Sequence, residues 1–343
     1  MFSRSISHQL SFCCIVIGIL LCNSCNRDEV ETSFDYTRFI PTRFPIPITN
    51  QDSVPTEAQF ILGKKLFYDP ILSRDGSLSC ASCHKPSIAF ADTVSVSPGV
   101  EGRIGNRNSP SLANVVYQRK LLKEGGLPTL EMQVLVPIQE HAEFDNNIVE
   151  ISNKLLTIPK YNELSQAAYK RDPDPYVITR AISAFERTLF SGDSKYDQYL
   201  NGKVKLTTME AQGLKLFMSE KTNCFRCHAD FLFTNQTIEN NGLYSIYRDI
   251  GARRLTQNPD DEGKFKIPSL RNIALTYPYM HDGSLKTLED VIDHYNSGGS
   301  DHKNKSPLIK PLNLPQEDKL AIIAFLNTLT DYNFIKNKNY QNE

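Results

Sequence analysis

The chain has 343 residues, with 38 Lys and Arg against 39 Asp and Glu and a formal net charge of −1 at pH 7. That length allows two domains, each with a core large enough to surround an apolar cofactor. The interspersed, balanced charge provides no basic stripe of the kind that nucleic-acid binding requires, which excludes that class of partner.

The first 25 residues read as a signal peptide. Arg4 precedes an apolar run from Leu10 to Leu21 that is too short for a stable membrane span and suits a signal core. Leu21-Cys22-Asn23-Ser24-Cys25 forms a degenerate lipobox, with Cys25 placed for lipid attachment and Cys22 where leucine is usual. Ordinary cleavage nearby, leaving a soluble periplasmic protein, is the alternative. Residues 26–50 are polar and then punctuated by Pro41, Pro45 and Pro47, the composition of an extended tether.

The spacing of Ala58, Ile61, Leu62 and Leu66 predicts an amphipathic helix over 55–67. Next comes Cys80-Ala81-Ser82-Cys83-His84, two thiols and an imidazole in the pattern of covalent c-type haem attachment, with His84 as the proximal iron ligand. Ile178, Ala181, Ile182, Phe185 and Leu189 predict a core helix over 176–190. A second amphipathic helix is predicted over 208–217, and Cys224-Phe225-Arg226-Cys227-His228 repeats the haem motif with His228 as ligand. A last helix over 315–329 would bury Leu320, Ile323, Leu326 and Leu329.

Of the eight cysteines, Cys13, Cys14, Cys22 and Cys25 lie in the leader and the other four in the two motifs. No pair is left for a structural disulfide. Thioether ligation of haem is completed outside the cytoplasm, in agreement with the leader and with an envelope location.

The motifs belong to an internal repeat. Gly63-Lys64-Lys65-Leu66-Phe67 matches Gly213-Leu214-Lys215-Leu216-Phe217, and Pro110-Ser111-Leu112-Ala113-Asn114 matches Pro268-Ser269-Leu270-Arg271-Asn272. The second match runs without a gap into Gly125-Gly126-Leu127-Pro128-Thr129-Leu130-Glu131 and Gly283-Ser284-Leu285-Lys286-Thr287-Leu288-Glu289. Strand-like alternation is scarce. The expected fold is therefore mostly α, with two cytochrome-c-like haem domains over 51–195 and 196–335.

These motifs, with Asn108-Ser109-Pro110-Ser111-Leu112, Phe265-Lys266-Ile267-Pro268 and Tyr279-Met280-His281-Asp282-Gly283, resemble the bacterial dihaem cytochrome c peroxidases and their MauG relatives over residues 55–329. The resemblance implies that the N-terminal haem reduces hydrogen peroxide and that the C-terminal haem passes it electrons. These come from a small donor protein such as a cytochrome c. It implies Glu143 as the distal acid-base group, Gln133 as the distal glutamine and Pro137 as the distal proline. His141, beside Glu143, is read mainly as a surface histidine. Many relatives carry a distal histidine where this chain has Val100, so the first haem is expected to be open without reductive activation.

For the second haem the resemblance offers Tyr295 as distal iron ligand, with Met280 as the competing thioether. In the ungapped repeat Tyr295 aligns with Pro137, which has no ligating atom. His281 matches a histidine near the haem propionates and Arg271 is a companion for carboxylate pairing. Asn108, Thr276 and Pro278 match an inter-domain calcium site, and a homodimer is a further family expectation. The chain has no tryptophan. Lys123 stands where the family has one between the haems, leaving Tyr117 or Tyr277 as other routes. A MauG-like oxidase acting on an organic or protein substrate and a non-catalytic electron carrier are the alternative functions.

Overall fold

The structure, a computed structural model, describes residues 34–47 and 54–342; the leader and Cys25 lie outside them. The helices run in the order α1 (Glu57–Tyr68), α2 (Cys80–Cys83), α3 (Leu130–Gln139), α4 (Ile148–Leu156), α5 (Pro159–Tyr169), α6 (Pro175–Glu186), α7 (Lys195–Leu200), α8 (Thr208–Phe217), α9 (Cys224–Cys227), α10 (Arg253–Thr256), α11 (Leu288–Ser297), α12 (Gln316–Asn327) and α13 (Tyr332–Lys336). The only paired strands among the described residues, β1 (Ile238–Glu239) and β2 (Phe265–Lys266), are two residues each and antiparallel. No described helix is long and apolar enough to cross a membrane.

Capping chemistry sets the helix starts. Thr56 and Gln59 exchange side-chain and backbone hydrogen bonds at the head of α1, and Thr207 and Glu210 do the same at α8. Each such box satisfies two of the otherwise orphaned amide groups of a first turn.

Two helix crossings repeat. In α1 a Cβ on Gly63 would lie 1.9 Å from Ala181 O of α6, and in α8 a Cβ on Gly213 would lie 1.8 Å from Ala321 O of α12. Only glycine lets the backbones approach that closely. Phe67 and Phe185 then pack with ring centroids 5.0 Å apart in the first crossing, as Phe217 and Phe325 do at 5.2 Å in the second. All four rings are almost wholly buried, each adding about 1.5–3 kcal/mol by removal from water.

The contact explains a repeat not visible in the loops alone. Ala181-Ile182-Ser183-Ala184-Phe185-Glu186 pairs with Ala321-Ile322-Ile323-Ala324-Phe325-Leu326, residue for residue. It also corrects the expected faces. Ile61 is 45 % exposed and Leu320 40 % exposed, because the glycine contact turns Leu62 and Leu66 of α1, and Ala321, Ile322 and Phe325 of α12, inward.

The predicted helix over 176–190 ends earlier, at Glu186. Beyond it the chain turns so that Leu189 O accepts from Asn114 N at 2.7 Å, as Leu329 O accepts from Asn272 N at 3.0 Å. The tether reading is corrected for residues 34–47. Tyr36 and Phe44 are buried, Tyr36 OH donates to Arg187 O, and Phe44 packs edge-on against Phe231 at 4.7 Å. Aromatic anchors hold this stretch although it has no helical or strand period.

The described residues hold two main apolar cores. The first is centred on α1 and α6 and the second on α8 and α12. The division at 195 and 335 is not kept by the first, since Phe334 and Tyr340 join it, with Phe334 5.7 Å from Phe90.

Candidate haem-binding site

Each Cys-x-x-Cys pair forms one short helical turn, α2 or α9, which sets both sulfurs on one side and delivers the following histidine. His84 Nδ1 lies 3.0 Å from Phe90 O, and His228 Nδ1 lies 3.0 Å from Phe233 O. These bonds place the proton on Nδ1 and leave Nε2 as the free donor, the orientation a metal-ligating imidazole needs. Burial lowers the pKa of both histidines, which keeps them neutral. Burial also pushes the four thiols up.

One cavity of about 840 Å³ is lined by both cysteine pairs and both histidines. Its walls are mainly apolar, with Leu72, Leu112 and Ile182 on one side and Phe217, Ile292 and Leu326 on the other. The donor set and the apolar walls fit a large flat macrocycle held at two sulfurs and one imidazole in each half.

The expected distal groups reach the same space. Gln133 and Pro137 sit one turn apart on α3 and both line the cavity. Proline inside a helix has no N–H for the carbonyl of Gln133, and the turn that follows is closed by Phe144 N donating to Pro137 O at 3.0 Å. That turn carries Glu143 into the cavity wall. Its carboxyl is accessible from there, yet the surrounding protein pushes its pKa up to about 7, with Glu140 adding like charge.

Val100 is fully buried, and its amide donates to Glu143 O at 2.8 Å, so its loop is fastened to the backbone of the distal turn. His141 points outward, 70 % exposed, and pairs with Asp145 at 3.1 Å.

In the second half, α11 begins at Thr287 as α3 begins at Thr129, and Tyr295 occupies the position of Pro137. Tyr295 and Met280 both line the cavity and share a neighbour, Asn241. The Asn241 amide lies 3.2 Å from Met280 Sδ, and burial pushes the Tyr295 hydroxyl up to about 12, with Asn241 lowering it.

Arg271 lines the cavity. It is 4 % exposed and forms a bidentate pair with Asp197 at 2.8 and 3.0 Å, while its Nε donates to Phe231 O at 2.6 Å. A buried guanidinium needs a buried carboxylate, and Asp197 supplies one from the protein itself. His281 stacks on Phe265 with centroids 4.0 Å apart.

Where the halves meet, Lys266 N donates to Lys123 O at 2.7 Å, and Arg107 bridges Glu124 and Asp249. Lys123 lines the cavity beside Arg107 and Lys266, and burial with those cations pushes its pKa down to about 7. Asn108, Thr276 and Pro278 all border the cavity, and Asn108 N donates to His281 O at 2.8 Å. No cluster of three His, Cys, Asp or Glu side chains suited to a metal ion occurs among the described residues.

Two groups escaped the sequence reading. Asp197 lies 74 positions from Arg271, a pairing no local pattern reveals. Glu186 sits in a helix read as core, and pairing it with Leu326 through the α6 and α12 repeat would have singled it out.

Residues 57–205 match the family model described as di-haem cytochrome c peroxidase. Cytochrome-c peroxidase IdrP1 of Pseudomonas sp. is 33% identical over 83% of this chain and 84% of its own length. Methylamine utilization protein MauG of Methylorubrum extorquens is 32% identical over 80% of this chain and 78% of its own. A crystal structure of a MauG-like protein associated with microbial copper homeostasis superposes with a TM-score of 0.84 at 36% identity, covering 88% of this chain and 97% of that one. The mostly α fold with two cytochrome-c-like domains is borne out.

Proposed function

We propose that this chain, which belongs to the di-haem cytochrome c peroxidase family, reduces hydrogen peroxide to water at its first haem with electrons from a small redox protein such as a cytochrome c. It carries two covalently bound c-type haems. Cys80, Cys83 and His84 would hold one, and Cys224, Cys227 and His228 the other. Bound there, each haem supplies a redox-active iron, and an iron with an open axial position can take up peroxide.

The observation that carries the reading is Glu143, a cavity carboxyl with its pKa near neutrality. Such a group takes a proton from the inner oxygen of peroxide and returns it to the outer one, which is what heterolysis of the O–O bond requires. Gln133 can hold peroxide by its amide. Pro137 and Val100 have no ligating atom to close the iron. Tyr295, in preference to Met280, would cap the second iron.

An envelope location goes with this reading, as do lipidation of Cys25 and a homodimer. Calcium at Asn108, Thr276 and Pro278 belongs to the same proposal, as a brace between the halves.

A MauG-like oxidase acting on an organic or protein substrate is the second reading. Tyr295 favours it, because a phenolate ligand stabilises oxidised iron, and so does the likeness to the MauG-like structure. The test is the absorption and EPR spectrum of the oxidised protein before and after peroxide, together with steady-state oxidation of reduced cytochrome c. Peroxide-dependent turnover supports the peroxidase. Reaction with peroxide but no turnover with any donor leaves the oxidase, and no reaction leaves an electron carrier. Tyr295→Phe should abolish tyrosinate charge-transfer features; an unchanged spectrum returns the ligand to Met280.

A further inference from the structure

Glu186 ends α6 at the wall of the cavity, on the side of Cys80. It is 4 % exposed, and its Oε2 has no hydrogen-bond partner. The cation beside it, Arg187, is committed to Glu131 of α3 at 2.7 Å. The other helices packed on α6 bring Glu57, Lys64 and Lys65 from α1 and Glu150 and Lys154 from α4, and none of these pairs with Glu186. In the second half of the molecule the matching residue is Leu326, which lines the cavity at the corresponding place.

A buried carboxylate without a partner is costly enough that the group keeps its proton instead. In keeping with that, burial pushes the pKa of Glu186 up to about 8, with Arg187 lowering it and Glu131 raising it. A carboxyl in this setting responds to any change of charge in the cavity, because little solvent screens it.

Reduction of hydrogen peroxide needs two electrons and two protons for every two waters formed, H2O2 + 2 H+ + 2 e− → 2 H2O. Glu143 relays a proton already on the peroxide; it does not by itself bring in those two. We propose that Glu186 is the residue through which proton uptake is coupled to electron entry at the first haem: in the mildly alkaline range, where the group is ionised beforehand, one proton from solvent binds the carboxylate as one electron arrives from the donor protein, and an O–H bond forms. The second haem, faced by Leu326, has no carboxyl at this place, so the slope that Glu186 produces is absent from its potential. This inference rests on the reading that Cys80 and Cys83 anchor the first haem.

The test is a redox titration of both haems across the neutral and mildly alkaline range in the full-length holoprotein. In the wild type the potential of the first haem should fall as pH rises, by up to about 59 mV per pH unit, the one-electron equivalent of a tenfold change. Glu186→Gln should remove the slope centred near pH 8 while both haems remain attached. Glu143→Gln should retain it. A flat wild-type profile, a slope that survives in Glu186→Gln, or one lost only in Glu143→Gln overturns the proposal. A second readout does not depend on the variant folding. At mildly alkaline pH the infrared difference spectrum of reduced minus oxidised wild type should show a carboxyl C=O band appearing on reduction, and its absence overturns the proposal. Loss of peroxide reactivity with the slope intact would sink the peroxidase reading and leave Glu186 in this role.

Discussion

The two halves share a scaffold down to single hydrogen bonds and differ at the positions that face the cavity. The bridge between Leu121 and Leu127 recurs between Tyr279 and Leu285, and Ser111 Oγ donates to Ala89 O as Ser269 Oγ donates to Leu232 O. Asn114 and Asn272 both adopt positive φ and tie the loop to the end of the neighbouring helix. Against this sameness, Pro137 stands opposite Tyr295, Glu186 opposite Leu326, and Ala113 opposite Arg271. Residues that place an anchor are duplicated, and residues that decide what the anchored group can do are not. On the proposed reading, that is how one fold would supply both an open and a capped haem, and sequence differences between the halves point to chemistry more directly than their likeness does.

The comparison can be broken most sharply at Glu143. Glu143→Gln should lower the rate with peroxide by about 10²–10⁴-fold, the usual worth of a positioned acid-base group. Asp301→Asn, at the same repeat offset in the second half, should leave the rate unchanged. If Glu143 acts first as base, as proposed, kcat/KM of the wild type should rise as pH climbs through about 7 and level off above it. The variant should lose that rise, as stopped-flow measurement across pH would show.

Next in size is the ion pair that only the second half possesses. Asp197→Asn leaves the Arg271 guanidinium buried with its counter-charge removed, at a cost of about 3–5 kcal/mol in denaturant unfolding. A loss under 1 kcal/mol would show that the pair is not as dry as its burial indicates.

The glycine crossings should give the smallest and most nearly equal effects. Gly63→Ala and Gly213→Ala each force a Cβ against a carbonyl, with overpacking costs of about 1–3 kcal/mol. The sites share no partner, so the double variant should lose the sum to within about 0.5 kcal/mol. Markedly unequal costs would mean that the two crossings are not energetic counterparts.

Much of this was legible in the residues. Helix α8 starts and stops where its pattern predicted, because a capping box and a Gly-x-x-Leu-Phe run state both its register and its partner. The haem anchors could be named because their chemistry is carried by short motifs, and Glu143, Gln133 and Pro137, named from the family resemblance, all line the cavity. What could not be read depended on distant partners. The carboxylate that Arg271 pairs with in the protein, Asp197, is announced by nothing near it in sequence. The packed segment around Tyr36 and Phe44 resembled a free tether because anchoring by isolated aromatics leaves no period. Glu186 was not singled out in the helix read as core, because its burial depends on the elements packed around α6.

The membership of Phe334 and Tyr340 in the first core has a consequence for the order of assembly. Tyr340 OH donates to Thr188 O at 2.5 Å, and Tyr68 OH donates to Tyr340 O. The half that begins the chain is sealed by residues close to its end. Along the chain the first cysteine pair comes well before Phe334 and Tyr340, whereas the main core of the second half is complete by Leu329. In chain order the first core is therefore the last to receive all its residues, although its haem anchor stands first.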